Sequence, residues 1–140
     1  MPGIILDTNV ISEVMREKPN AQALRWFSER EINALHLTSI TLSELWHGVE
    51  RLDPSHPKRS GLVAKLELLE QQFDNQILNL DAAAARLWGQ LRGRHSRKGR
   101  VFPDIDLQIA AIALCHHMSL ATANTKDFDG LGIQLIDPFS

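Results

Sequence analysis

Five short apolar runs, separated by helical patterns, constrain this chain more than any other feature: "IIL" at 4–6, "ALHLTS" at 34–39, "ILNL" at 77–80, "LATA" at 120–123 and "IQLI" at 133–136. Each is short and bounded by turn residues or charge, so each reads as a strand. Residues 10–16, 21–30, 41–51, 62–73, 81–93 and 104–117 read as helices. Pro19-Asn20 opens the second, which carries Ala23, Leu24 and Phe27 on one face. In the third, Leu42, Leu45, Trp46 and Val49 repeat as an i, i+3, i+4, i+7 stripe, and Asp81 caps the fifth. Strands alternating with helices form βαβ units, so the chain is α/β with a mainly parallel central sheet and helices on both faces. Its 140 residues are expected to form one domain, 1–140, without repeats or a dividing linker. The stretches 53–61 and 94–103 gather Pro, Gly, Ser and charge and are the expected mobile loops.

Composition removes several function classes. Hydrophobic residues make up 44%, yet no apolar run approaches the roughly 20 residues of a membrane span. "MPGIILD" enters the first strand without a basic and apolar leader, so no signal peptide is expected. Cys115 is the single cysteine, which rules out a disulfide within the chain and suits the cytoplasm. The net charge of −2 hides a cluster: Arg86, Arg92, Arg94, Arg97, Lys98 and Arg100 are six of the fifteen Lys and Arg residues, with no acid among them. Two readings fit this cluster. It is either a solvated helix end opposing the macrodipole, or a surface that steers a phosphate backbone.

The acids carry the chemistry. Asp7 ends the first strand in "ILDTN", where it serves either as a helix cap or as the first ligand of an acidic site at the C-terminal edge of a parallel sheet. Glu44 falls opposite the stripe of its helix, the position of an ordinary solvated Glu. Asp106 in "FPDIDLQIAAIALCHH" shares the apolar face of Ile109, Ala110 and Ala113. A carboxylate there needs compensation, because burial disfavours its charged form. Asp104, out of phase with that face, is placed as the N-cap. Asp127 follows "LATAN" in a tight loop, where turn chemistry alone would explain it. In a parallel α/β topology all four acidic regions can share one crevice. Several carboxylates in one place need a divalent cation, and hard oxygen ligands suit Mg²⁺ or Mn²⁺.

"ILDTNVISE", "TSITLSELWHGV", "DLQIAAIAL", "LATANTKDF" and "IDPF", in this order and spacing over nearly the whole chain, resemble the PIN-domain ribonucleases, in particular the VapC toxins of bacterial toxin–antitoxin pairs. The resemblance implies a PIN-like three-layer α/β/α fold and metal-dependent hydrolysis of RNA phosphodiester bonds. It matches the family's metal-binding acids to Asp7, Glu44, Asp106 and Asp127. Some members carry an acid where Asn124 stands, so Asn124 and Asp127 share the last role. Thr8 and Asn9 would orient ligands, and Arg92, Arg94, Arg97, Lys98 and Arg100 would steer RNA. The implied partners are an RNA substrate, a VapB-like antitoxin that blocks the cleft, and a second copy of the chain in a homodimer. DNA would be bound only through the antitoxin. Two rivals remain: a non-catalytic binding module of the same fold, and an Asp-nucleophile phosphatase. The second commonly needs another acid two residues after the first, and here that residue is Asn9.

Overall fold

A computed structural model describes residues 3–140 of the chain; Met1 and Pro2, the start of the segment read as free of a leader, lie outside the described residues. Five strands form one parallel sheet: β1 (Ile4–Leu6), β2 (Leu35–Thr38), β3 (Ile77–Leu78), β4 (Ser119–Ala121) and β5 (Leu135–Ile136). Their order across the sheet is β3-β2-β1-β4-β5. In register, Ile5 pairs with His36 on one side and with Leu120 on the other. The chain builds outward from β1 to β3 and then returns to the far side of β1 for β4. The crevice beyond the C-terminal ends of β1 and β4 is therefore a topological switch point, where open parallel sheets bind ligands.

Successive residues of a strand face opposite sides. Ile5 and Leu120 accordingly pack on one layer, with Ala84 and Leu91 of α5 (Ala82–Arg97) and Ile109 and Ala113 of α6 (Asp104–Cys115). Leu6, Leu35, Leu37 and Ala121 pack on the other. That layer comprises α1 (Thr8–Val14), α2 (Ala21–Ser28), α3 (Ser39–Glu50) and α4 (Arg59–Gln72). The three layers expected from the strand and helix alternation are thus present. No helix among the described residues is long and apolar enough to cross a membrane.

The differences from expectation have local causes. α1 begins at Thr8, directly after β1, because Asp7 caps it. α5 runs to Arg97, four residues past its expected end, with Arg94, His95 and Arg97 in its last turn. Cations there oppose the macrodipole favourably, so much of the expected 94–103 loop is helix. α4 likewise starts at Arg59, inside the expected 53–61 loop. Asp104 is not the N-cap of α6. Pro103 holds that position with extended ψ 140, its carbonyl accepting from Leu107 N–H at 3.1 Å, and Asp104 is the first helical residue. Leu24 is 39% exposed rather than packed, whereas Ala23 of the same helix is fully buried. Asn20 and Asp81 cap as expected, accepting from Ala23 and Ala84 N–H at 2.9 and 3.0 Å.

Candidate active site

Asp7 stands where β1 ends, and both roles foreseen for it are compatible there. Its Oδ1 accepts the Thr8 N–H at 2.8 Å, which caps α1. Its Oδ2 accepts from Thr122 Oγ1 at 2.8 Å and from Asn9 Nδ2 at 3.2 Å. Asn9 also reaches Thr122 Oγ1 at 3.3 Å and accepts the Ala123 N–H at 3.1 Å, tying the end of β1 to the end of β4. With 6% exposure, Asp7 is a buried carboxylate. Burial and the nearby Glu44 push its pKa up, more than the hydrogen bonds from Thr122, Thr8 and Asn9 pull it down. An uncompensated acid held this way favours any cation that arrives.

Glu44 departs from the solvated position that its helix phase predicts. It is half-buried, and its Oε1 accepts from Thr8 Oγ1 at 2.5 Å. Thr8 Oγ1 also lies 3.2 Å from Thr41 Oγ1, and Thr41 N–H bonds to the side chain of Thr38, the cap of α3. α3 buries two faces. Leu45 and Val49 meet the core, while Thr41 and Glu44 turn toward α1.

Asp106 sits half-buried in the first turn of α6. Burial, and then the charges of Asp7, Asp127 and Glu44, push its carboxyl up to about 6. The fold thus gathers the four sequence-distant acids closely enough for each of the other three to act on Asp106. No cation is among the charges that shift Asp7 or Asp106, and the three ion pairs among the described residues lie elsewhere. Asp127 is exposed on the 3₁₀ turn Thr125–Phe128. Phe128, 1% exposed, anchors that turn in the core, and Asn124 opens it by accepting the Asp127 N–H at 3.0 Å. Burying such a ring contributes about 2–3 kcal/mol, so the acid rides on a fixed support.

Among the described residues, no three Asp, Glu, His or Cys side chains converge tightly enough to ligate one ion between them. That spacing still suits Mg²⁺, which dehydrates reluctantly, keeps several waters and takes one or two carboxylates directly. The donor set is all oxygen and carries unbalanced negative charge, so the residues present fit a hard divalent cation. Thr122 and Thr41, both fully buried, were not singled out in the sequence. A readable signal existed for Thr122, since strand alternation sets it on the face of Leu120 and makes it a polar residue at a core position.

Of the basic cluster, Arg92, Arg94 and Arg97 lie on the last turns of α5, Lys98 is its C-cap and Arg100 follows in the connection to α6. All five are exposed. The cluster thus sits at the end of α5, a position that suits either reading, and α5 packs against the helix that carries Asp106.

A family model described as "PIN domain" matches residues 4–133. A relative from Sinorhizobium fredii named "VapC ribonuclease Y4jK" is 32% identical, the match covering 97% of this chain and 97% of that protein. "Toxin FitB" from Neisseria gonorrhoeae is also 32% identical, over 97% of this chain and 98% of that protein. A solved structure described as FitAB bound to an IR36 DNA fragment superposes with a TM-score of 0.90 at 31% identity, covering 98% of this chain and 96% of that one.

Proposed function

The chain belongs to the PIN-domain family, and we propose from that premise that it is a divalent-metal-dependent endoribonuclease acting as the toxin of a type II toxin–antitoxin pair. The observation that carries the reading is the buried Asp7 carboxylate at the end of β1, oriented by Thr8, Asn9 and Thr122, with Glu44 bonded to the same Thr8 and Asp106 near enough for Asp7, Asp127 and Glu44 to add to the burial that raises its carboxyl. Asp7 and Asp106 would hold Mg²⁺, or Mn²⁺ in its place, with Glu44 and Asp127 holding a second ion or the waters of the first. Bound there, the metal supplies an attacking water of lowered pKa and neutralises charge on the phosphate.

The chain's own groups do the positioning. Thr122, Asn9 and the Thr8 N–H hold the Asp7 carboxylate in one orientation, leaving a free lone pair on Oδ1 for the ion. Thr8 fixes Glu44 in the same way. Asn124 keeps the Asp127 turn in place, and Arg92, Arg94, Arg97, Lys98 and Arg100 raise the local concentration of RNA backbone. The expected products are a 5′-phosphate and a 3′-hydroxyl.

The partners follow from the same reading. An antitoxin segment offering Arg to the unbalanced carboxylates would silence the site through charge-assisted bidentate pairing. The toxin would assemble as a homodimer within a toxin–antitoxin complex, and would meet DNA only through the antitoxin. The reading is tested with the purified chain on a mixed single-stranded RNA. Cleavage is expected with Mg²⁺ or Mn²⁺, and none with EDTA or after Asp7→Asn. Cleavage that survives both treatments would refute it.

A further inference from the structure

Where α5 ends and α6 begins, a cavity of about 310 Å³ opens, lined among others by Arg92, His95, Arg100, Phe102, Asp104 and Leu107. Its floor is aromatic and its rim cationic. The Arg100 guanidinium lies 4.2 Å from the centroid of the Phe102 ring, and His95 meets that ring edge-on at 5.0 Å. Phe102 is 8% exposed, so the platform is fixed in the core. A guanidinium laid on a ring keeps its in-plane N–H donors free. Arg100 takes part in none of the three ion pairs among the described residues.

Arg100 is also held from the loop that follows Asp127. A Cβ at Gly130 would stand 2.9 Å from Arg100 Nη1, and Gly130 has φ +82. Glycine at this position permits both the backbone turn and the close approach of the guanidinium. Arg92 is arranged differently, stacked 6.0 Å from the Trp88 centroid with its Nε 3.8 Å from Asp104 Oδ1. Both members of that pair are more than half exposed, at 61% and 57%, so the pair is weak and easily exchanged for a better anion. α6 starts beside the cavity without a side-chain cap on its first N–H groups, and Asp104 and Asp106 in its first turn are the charges that answer its dipole.

We infer that this cavity seats an RNA phosphate flanking the scissile one, with Arg92 and Arg100 as its donors, and that Asp104 occupies Arg92 until the RNA displaces it. The inference rests on the ribonuclease reading of the acidic site. Asp104 lines the cavity and Asp106 belongs to the acidic group; two residues advance a helix by about 3 Å and turn it by about 200°, so cavity and acids lie on opposite sides of the same helix start. An RNA strand crossing the first turn of α6 would set one phosphate at Asp106 and the next over this rim. Arg94, Arg97 and Lys98 are not among the lining residues and act on the RNA from further out.

The test measures binding of a fluorescein-labelled single-stranded RNA in EDTA across a salt series, followed by cleavage with Mn²⁺. Wild type is compared with Arg92→Gln, Arg100→Gln, Asp104→Asn and, as a control for net charge, Arg25→Gln on α2. Each phosphate contact on a single strand contributes about 0.7 to the slope of log affinity on log salt. Arg92→Gln and Arg100→Gln should each flatten the slope by about that amount beyond the control and weaken binding about tenfold. In cleavage they should raise KM more than they lower kcat. Asp104→Asn should tighten binding several-fold by freeing Arg92. Equal slopes for Arg92→Gln, Arg100→Gln and Arg25→Gln, or weaker binding by Asp104→Asn, in a wild type that cleaves RNA would overturn the phosphate seat alone. A wild type that neither binds nor cleaves RNA would overturn the ribonuclease reading and the seat with it.

Discussion

Replacing Asp106 by Asn should stabilise the metal-free protein, and only where the native carboxyl is charged. Raising a carboxyl from its ordinary 3.8 to about 6 corresponds to about 3 kcal/mol of unfavourable interaction for the ionised form. Asp106 is only half-buried, and water and salt screen much of this, so about 1–1.5 kcal/mol is expected at neutral pH. The sign follows from proton linkage. Between about pH 4 and 6 the folded state binds more protons at Asp106 than the unfolded state does, so stability falls as pH rises through that window and stays reduced above it. Asn carries no charge and escapes the loss. In EDTA above pH 7, Asp106→Asn should therefore melt about 4 °C higher than wild type, with the difference vanishing near pH 3.5. Differential scanning calorimetry of both proteins across this range reads the effect. Added Mn²⁺ should raise the melting temperature of wild type and leave that of the variant nearly unmoved, since a ligand that binds only the folded state stabilises it. A variant that is less stable than wild type at pH 7.5, or a difference that does not change with pH, would show that burial and the neighbouring carboxylates do not burden the ionised Asp106.

Thr122→Val keeps the shape but removes the hydroxyl that donates to Asp7 Oδ2 at 2.8 Å. Urea titration at pH 7.5 should show a loss of about 1.5–3 kcal/mol, as for other hydrogen bonds to a charged group, and metal-dependent cleavage should fall with it. Because that hydrogen bond lowers the Asp7 pKa, its removal should also shift the acidic limb of the cleavage–pH profile to higher pH. Gly130→Ala should cost about 1–2 kcal/mol for its left-handed backbone, φ +82, measured by thermal melting, and should weaken RNA binding by displacing Arg100. Asn20→Ala, remote from the acids, should cost about 1 kcal/mol through the lost cap of α2 and leave cleavage at wild-type level.

What the sequence revealed of the fold was whatever repeats with a period. Alternating strand and helix patterns predict the three layers, because every element has to bury one face. Asp106 was legible for the same reason, being a charge on the face of Ile109 and Ala110. Glu44 was misplaced by that logic. A single apolar stripe describes a helix with one buried side, whereas α3 meets the core through Leu45 and Val49 and meets Thr8 through Thr41 and Glu44. The Asp104 cap failed by one residue, because Pro103 supplies the extended residue and the first accepting carbonyl, leaving Asp104 inside the helix. The length of α5 was hidden by Gly, Ser and charge in "RGRHSRKGR", which resemble a loop in composition while its cations suit a helix C-terminus. Hydrogen bonds between residues as distant in sequence as Asp7 and Thr122 leave no local trace.

Carboxylates at the switch point of the sheet are proposed to hold a metal that activates water against an RNA phosphodiester. The most direct test of this proposal is Mn²⁺-dependent cleavage in ¹⁸O-labelled water, followed by mass spectrometry of the fragment ends. The expected fragments carry 3′-hydroxyl ends and 5′-phosphates with one ¹⁸O from solvent. Fragments ending in a 2′,3′-cyclic phosphate, with unlabelled 5′-hydroxyl partners, would contradict it, since the attacking oxygen would then have come from the RNA itself.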